Sequence, residues 1–164
     1  MDIVFEPLAD SSRHAVIDIF NHYVENSFAA YPDHAVPYDF FDMFLNMCRG
    51  YPAVVARKED GEVIGFGMLR QFNSIPAFSK TAEITYFLKP GFTGRGVGKA
   101  ILEHLEAKGA ERGITSILAG ISSLNEGSIR FHLKNGFSEC GRFKQVGVKK
   151  GKTFDVVYCQ KMLS

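Results

Sequence analysis

The sequence predicts a single domain of the α+β (α/β) class over residues 1–164, in which a mixed central sheet of about seven strands carries helices on both faces. The chain has 164 residues, 46% of them hydrophobic, which is enough to bury one core. Strand-like and helix-like stretches follow one another in the order β-α-α-β-β-β-α-β-α-β-β. Strands joined through a helix run parallel and strands joined by a short turn run antiparallel, so this order predicts a mixed sheet.

The first half of the chain predicts three strands and two helices. Apolar side chains from Ala15 to Val24 recur at helical spacing. Pro32 and Pro37 make the next stretch irregular, because proline restricts both itself and the residue before it. Asp60-Gly61 between two β-rich runs is typical of a hairpin turn. The predicted strands cover residues 1–6, 53–57 and 63–71, and the predicted helices cover about 15–27 and 40–48.

The second half predicts four strands and two more helices. Gly113 ends the first of these helices, and Asn125 can cap the second. The last two strands pair across the turn 149–152. Strands joined through these helices are expected to be parallel neighbours, reached by right-handed crossovers. The predicted strands cover residues 82–89, 114–121, 137–146 and 153–163, and the helices cover 96–112 and 125–134.

Composition and charge argue against several classes of partner. The formal net charge of +1 provides no basic field for nucleic acid. Cys48, Cys140 and Cys159 are odd in number and widely spaced, so we expect reduced thiols in a cytoplasmic protein and no metal site. Residues 1–14 do not resemble a signal peptide, and no apolar stretch approaches the roughly 18 residues of a membrane span. We therefore expect neither a nucleic-acid nor a membrane partner.

The stretch GFTGRGVGKAIL, residues 91–102, predicts a site for a phosphate group. It lies between a predicted strand and a predicted helix. The N-terminus of a helix offers free backbone N–H groups and the positive end of the helix dipole. Gly94, Gly96 and Gly98 let the chain come close to an anion and adopt positive φ angles. Arg95 and Lys99 oppose the dipole at a helix start unless an anion is bound there.

Two common nucleotide motifs fit this loop poorly. The Walker A pattern would need glycine at Thr93 and a hydroxyl side chain at Ala100. The dinucleotide pattern GxGxxG begins with Gly94 and Gly96 but has Lys99 at its third glycine. A nucleotide triphosphatase or a nicotinamide dehydrogenase is therefore disfavoured.

Several stretches resemble the GNAT superfamily of acyltransferases. Residues 91–102 resemble its acetyl-CoA pyrophosphate loop, Q/R-x-x-G-x-G/A, with Thr93 in place of Gln or Arg. NEGSIRFHLKNGF, residues 125–137, resembles the second cofactor motif. Residues 19–27 and 141–163 are similar to the phosphinothricin and related amino-acid N-acetyltransferases. The resemblance implies the GNAT fold, with a V-shaped splay in the sheet, and acetyl-CoA as the co-substrate without a metal.

The resemblance also implies which residues act. Glu83, seven residues before Pro90, would be the general base, acting directly or through a water. His132 stands where many relatives have a tyrosine and would be the general acid that protonates the CoA sulfur. A backbone N–H of the segment around Phe87 and Leu88 would polarise the thioester oxygen. The cofactor-binding residues would be Phe87, Leu88, Gly94, Arg95, Gly96, Val97, Gly98, Lys99, Asn125 and Ser128.

The predicted acceptor is the primary amine of a small molecule. Members of the phosphinothricin branch carry arginines between two strands, where this chain has Asn73, Ile75 and Ser79. We therefore expect an acceptor less anionic than phosphinothricin, although the sequence leaves open whether Arg70 or Lys80 compensates. The acceptor pocket is predicted at Phe28, Tyr31, Phe72, Asn73 and Phe78. The resemblance further implies a homodimer, and a CoA-binding sensor or interaction protein without turnover is the alternative function.

Overall fold

The computed structural model describes residues 1–164 as one seven-stranded sheet with two helices on each face. Every predicted strand and helix is present, so the predicted fold class is confirmed. The strands are β1 (Ile3–Pro7), β2 (Ala53–Lys58), β3 (Val63–Gln71), β4 (Thr81–Leu88), β5 (Ser116–Ser122), β6 (Ser138–Lys149) and β7 (Lys152–Met162). The helices are α1 (Arg13–Asn26), α2 (Phe41–Met47), α3 (Val97–Glu111) and α4 (Glu126–Lys134). None of the helices is long and apolar enough to cross a bilayer.

The strands lie in the order β1-β2-β3-β4-β5-β7-β6. All neighbours are antiparallel except β4 and β5, which α3 connects as a parallel pair. The expectation that β5 and β6 are parallel neighbours is wrong, because β7 lies between them. A long hairpin explains the difference: β7 turns back from β6 and takes the place beside β5, which leaves β6 at the edge.

The two faces of the sheet carry separate cores, because successive side chains of a strand point to opposite sides. Helices α3 and α4 cover one core, in which Ile101 and Leu105 of α3 are fully buried. Helices α1 and α2 cover the other, which contains Phe41 and Phe66. The α1–α2 core reaches only as far as β4, so this face of β5 and β7 lies outside it.

Helix α3 packs closely on β3 because β3 has glycine where the helix crosses it. A Cβ atom on Gly67 would lie 2.7 Å from Cγ2 of Ile101 and 3.0 Å from Cβ of Tyr86. A larger residue would push α3 away from the sheet. The close packing fixes the start of α3, and with it the glycine loop, at the end of β4.

A buried lysine fastens the tip of the β6–β7 hairpin to the end of α1. The turn takes positive φ at Lys150 (52°) and Gly151 (75°), as a two-residue hairpin turn does. Lys149 is 1% exposed, and its Nζ donates to the backbone carbonyls of Val24, Ser27 and Ala30 at 2.6–2.7 Å. An ammonium group supplies the donors that carbonyls at a helix C-terminus lack.

Replacing Lys149 with methionine should destabilise the protein, because it leaves buried carbonyls without a donor. An unsatisfied buried polar group costs about 1–3 kcal/mol, so we expect the free energy of unfolding to fall by at least about 2 kcal/mol. Urea denaturation measures the change. Lys144→Met is the matched control, since Lys144 is exposed on the same hairpin and should change stability by less than about 0.5 kcal/mol. Equal stability of the two variants would contradict the anchoring role of Lys149.

Candidate active site

The sheet opens between its two parallel strands. Only three residue pairs join β4 to β5, and the last of them is Glu83 with Leu118. Beyond Glu83, β4 remains paired with β3 up to Leu88, and beyond Leu118, β5 remains paired with β7 up to Ser122. The two strands therefore form a V that opens towards the start of α3, and Glu83 lies at its vertex. This confirms the expected splay.

The strand register determines which peptide groups of β4 face the open V. Lys89 donates its N–H to Ile64 of β3, whereas the carbonyl of Lys80 accepts from Thr115 on the β5 side. Because these directions alternate along a strand, the peptide groups of Tyr86 and Leu88 face the V. Those of Phe87, which we expected at the cofactor, point towards β3.

The carbonyl of Leu88 has one protein partner, the Tyr23 hydroxyl of α1 at 2.5 Å. The aromatic ring of Phe87 packs in the α1–α2 core against Tyr23. Sequence reasoning identified this segment but could not tell which of its peptide groups face the V and which face β3, because that depends on the pairing of β4 with β3 and β5.

The glycine loop leaves the N-terminus of α3 free to bind an anion. Gly94 and Gly96 have φ angles of 72° and 85°, which favour glycine. Gly96 is the N-cap of α3, no side chain caps the helix, and its first turn contains no acidic residue. A Cβ atom at either glycine would meet no atom within 4 Å, so the space in front of the helix is open. Gly98 lies inside the helix, without positive φ.

Cations border this helix start. The guanidinium group of Arg95 lies 5.0 Å from the ring centre of Phe92. Lys99 is 63% exposed, and its Nζ is 3.8 Å from a carboxylate oxygen of Glu103. Arg95 directly precedes the N-cap residue and Lys99 lies in the first turn, and both are open to solvent where cations oppose the helix dipole.

Helix α4 places His132 beside Tyr86 of β4, on the face of the sheet that α3 and α4 cover. Asn125 caps α4 by accepting from the N–H of Ser128 at 3.3 Å, which confirms its predicted capping role. His132 is 3% exposed, and its Nδ1 lies 2.7 Å from the carbonyl oxygen of Ser128. A carbonyl can only accept, so the Nδ1 carries a proton.

The other ring nitrogen of His132 is bonded to Tyr86. Its Nε2 lies 2.7 Å from the Tyr86 hydroxyl, and in neutral histidine this nitrogen accepts. Burial lowers the pKa of His132, and the hydrogen bond to the Ser128 carbonyl offsets part of that effect. Burial also raises the pKa of Tyr86 strongly. The pair is therefore neutral in the fold, and Tyr86 is a site residue that sequence reasoning missed.

Glu83 is bonded to an arginine of the neighbouring strand. Its Oε2 lies 2.6 Å from Nη1 of Arg70, which pairs with it across β3 and β4. The Nε of Arg70 donates to the Thr85 hydroxyl at 3.1 Å. The side chain of Glu83 is 14% exposed and that of Arg70 is 31% exposed. A largely buried carboxylate, paired with an arginine, thus lies where the V begins.

Tyr158 of β7 lies near the same carboxylate. Its pKa is raised, first by burial and then by the charge of Glu83, while Arg70 lowers it. Its ring covers Gly120 of β5, where an added Cβ would lie 3.2 Å from the ring. Glycine at this position leaves room for the ring beside the V. Sequence reasoning missed Tyr158, because the pairing of β7 with β5 was not anticipated.

The five residues predicted for the acceptor pocket fall into two aromatic groups. Phe72 and Phe78 pack edge to face with ring centres 5.9 Å apart, and both are at least 40% exposed. Asn73 accepts from the N–H of Ile75 at 2.9 Å, which shapes the same loop. Tyr31 and Phe28 instead lie beside Phe154 of β7, at ring-centre distances of 5.6 and 6.5 Å.

Comparison with known proteins assigns a family to this arrangement. The family model described as "Acetyltransferase (GNAT) family" matches residues 16–137. The chain is 32% identical to the L-methionine sulfoximine/L-methionine sulfone acetyltransferase of Salmonella typhimurium, over 99% of this chain and 95% of that protein.

Two solved structures share the fold over nearly their whole length. A phosphinothricin acetyltransferase of Sinorhizobium meliloti in complex with AcCoA superposes with a TM-score of 0.92 at 28% identity, covering 100% of this chain and 90% of that one. A ribosomal-protein-alanine N-acetyltransferase of Brucella melitensis superposes with a TM-score of 0.90 at 31% identity, covering 98% and 99%.

The buried state of His132 should make stability depend on pH. A histidine whose pKa is lowered in the fold stabilises it while neutral, and this contribution is lost as the pH falls from about 6.5 through the lower folded pKa. We expect the free energy of unfolding of the wild type to fall more steeply below pH ~6.5 than that of His132→Gln. Urea denaturation across this pH range measures both slopes. Parallel curves would show that His132 does not titrate with unfolding.

Proposed function

The chain belongs to the GNAT family of acetyltransferases, and on that premise we propose that it transfers the acetyl group of acetyl-CoA to the primary amine of a small, amino-acid-like molecule. One observation carries the proposal: an uncapped helix N-terminus lies at the mouth of a split sheet, and a carboxylate lies at the vertex of the split. The groups for anion binding and for proton transfer thus lie at the two ends of the V.

The start of α3 fits the diphosphate of acetyl-CoA. The N–H groups from Gly96 to Lys99 have no partner within a helix and would donate to the phosphate oxygens. Gly94 and Gly96 leave space for them, and the side chains of Arg95 and Lys99 would balance the charge. The backbone around Val97 and Gly98 belongs to the same turn of the helix.

The V between β4 and β5 fits the pantetheine arm. Peptide groups of Tyr86 and Leu88 face the gap and would pair with its amides as a neighbouring strand does. The side-chain amide of Asn125 accepts with its oxygen in the cap, so its NH₂ group is free to donate to the arm. Ser128 would contribute from the same turn of α4.

Glu83 is proposed as the general base. Acetyl-CoA supplies an activated thioester, so the protein has to position the amine, take its proton and protonate the leaving sulfur. The amine nitrogen forms a bond to the acetyl carbon, the carbon–sulfur bond breaks, and the amine proton passes to Glu83 directly or through a water. Its position at the vertex of the V supports this role.

His132 is proposed as the general acid, acting through Tyr86. Since Nε2 is bonded to the Tyr86 hydroxyl, the imidazolium form would pass its proton to that oxygen while the hydroxyl proton goes to the thiolate sulfur. Burial lowers the pKa of His132, so this form is scarce at neutral pH and becomes populated only as the pH falls below about 6.5. If Tyr86→Phe has the same kcat as the wild type at neutral pH, the relay is contradicted and water supplies the proton.

Association into a homodimer in the cytoplasm completes the proposal. The edge strand β6 exposes Phe143, Val146 and Val148, each by more than half, and such a row of apolar side chains favours association. A molecular mass equal to that of the monomer, measured by sedimentation equilibrium, would contradict the dimer. Fractionation of the source cells tests the location, which stays a prediction from the reduced cysteines.

Alanine at position 96 should weaken acetyl-CoA binding far more than alanine at position 98. Gly96 has a φ of 85°, which strains any other residue and displaces the donor N–H groups, whereas Gly98 is helical. A Cβ at Gly98 would lie 3.5 Å from the Phe131 ring, an ordinary contact. We expect Gly96→Ala to raise the Kd at least about tenfold, since strain of 1–3 kcal/mol is typical of such positions. Calorimetric titration of both variants checks this, and equal affinities would argue against the loop as the binding site.

Replacing Glu83 with glutamine should reduce turnover without affecting acetyl-CoA binding. Loss of a general base typically costs about 10²–10⁴-fold in rate. Thiol release from acetyl-CoA measures turnover with L-methionine sulfone, phosphinothricin and a peptide with N-terminal alanine as acceptors. Glu62→Gln is the control, because Glu62 forms surface ion pairs with Lys58 and Lys89. If the wild type binds acetyl-CoA but acetylates none of these amines, the alternative of a CoA-binding sensor gains support.

A further inference from the structure

We propose that Arg49 and Arg70 form an anion subsite that binds a carboxylate of the acceptor beside Glu83. The inference rests on the proposed function, since it specifies the class of acceptor that this site takes. The acceptor is then a small amine with a carboxylate, or a similar planar or tetrahedral anion, a few bonds from its nitrogen.

The subsite is an open cavity of about 410 Å³ at the end of β3. Five residues line it: Asn46, Met47, Arg49, Arg70 and Gln71. Two of them are cations, two are amides, and none is acidic. A cavity with this lining favours an anion, because Arg49 has no carboxylate partner and Arg70 has Glu83 as its only one.

Both guanidinium groups have donors to spare. Arg70 uses Nη1 for Glu83 and Nε for Thr85, while its Nη2 has no hydrogen-bond partner. Arg49 uses Nη2 for the side-chain oxygen of Asn46 at 2.8 Å, and its Nε and Nη1 have none. Guanidinium groups with free, fixed donors bind carboxylates through two parallel hydrogen bonds.

Arg70 connects this cavity to the reacting groups. It is bonded to Glu83 at 2.6 Å and also lines the cavity, so a single side chain lies between the base and the anion. An acceptor with its carboxylate on Arg49 and Arg70 therefore has its amine within a few bonds of Glu83. Such an arrangement fixes the amine at the vertex of the V, which is the main contribution that positioning can make to the rate.

The subsite also revises the expectation of a weakly anionic acceptor. That expectation followed from Asn73, Ile75 and Ser79 in the loop after β3, where related proteins have arginines. The loop has no cation at those positions, but Arg70 of β3 and Arg49 after α2 supply two from the other side. The chain thus replaces the missing charge from different elements of the fold.

A matched pair of acceptors tests the subsite. Thiol release is measured with L-methionine sulfone and with its α-carboxamide, which keeps the amine and removes the charge. We expect wild-type kcat/KM to be at least about tenfold higher for the acid, the usual scale for losing one charged hydrogen-bonded contact. Arg49→Gln should raise KM for the acid about tenfold and leave the carboxamide unchanged, because Arg49 does not contact Glu83.

Arg112→Gln is the control, because Arg112 is an exposed arginine at the end of α3 and forms no ion pair. It should leave both acceptors unchanged. Equal kcat/KM of the wild type for acid and carboxamide would overturn the subsite, as would an equal loss for both acceptors in Arg49→Gln.

Binding without turnover separates this inference from the proposed function. Calorimetric titration of L-methionine sulfone into the wild type and Arg49→Gln, without acetyl-CoA, reports on the subsite alone. Tighter binding to the wild type supports the subsite even if no acetyl transfer occurs, in which case only the proposed function fails. Transfer to the carboxamide with no binding preference for the acid would leave the proposed function standing and remove the subsite.

Discussion

The separation of β4 from β5 after three residue pairs is the constraint on which the rest of this structure depends. Peptide groups that lose a strand partner inside a protein need another one, since an unpaired buried N–H or C=O is costly. Here the exposed edge of β4 keeps β3 on its other side, and the exposed edge of β5 keeps β7. The gap is therefore a rigid opening lined with donors and acceptors, and a ligand with amide groups can complete the sheet.

Both walls of this opening are held from a distance. Close packing of α3 on Gly67 fixes the β4 wall and the glycine loop, because there is no side chain to keep the helix away. On the other side, the β6–β7 hairpin reaches across the molecule, and Lys149 ties its tip to the end of α1. Tyr158 and Phe154 of β7 thereby face the side of the V that α1 and α2 leave uncovered. The proposed acceptor side of the site is thus built by long-range contacts.

The ionisable groups around the V differ in whether they have a charged partner. His132 is buried without a charged partner, which favours the neutral ring and directs its two nitrogens to Ser128 and Tyr86. Glu83 is largely buried and forms an ion pair with Arg70, which leaves the second arginine of the cavity without a carboxylate partner. In the proposed mechanism, Glu83 takes the amine proton on one face of the sheet, and the His132–Tyr86 pair protonates the sulfur from the other face.

The sequence by itself determined the order of the elements, the turns and the glycine loop, because these depend on periodicity and on φ angles that only certain residues adopt. It proposed Glu83, His132 and Asn125 as site residues by resemblance, and local spacing was enough to predict the cap that Asn125 forms. Only the tertiary structure decided what lies beside them. The insertion of β7 between β5 and β6, the Tyr86–His132 bond and the pairing of Arg70 with Glu83 all join residues at least 13 positions apart. Their contacts depend on strand register and on which face each side chain takes, and neither is encoded within a local stretch of sequence.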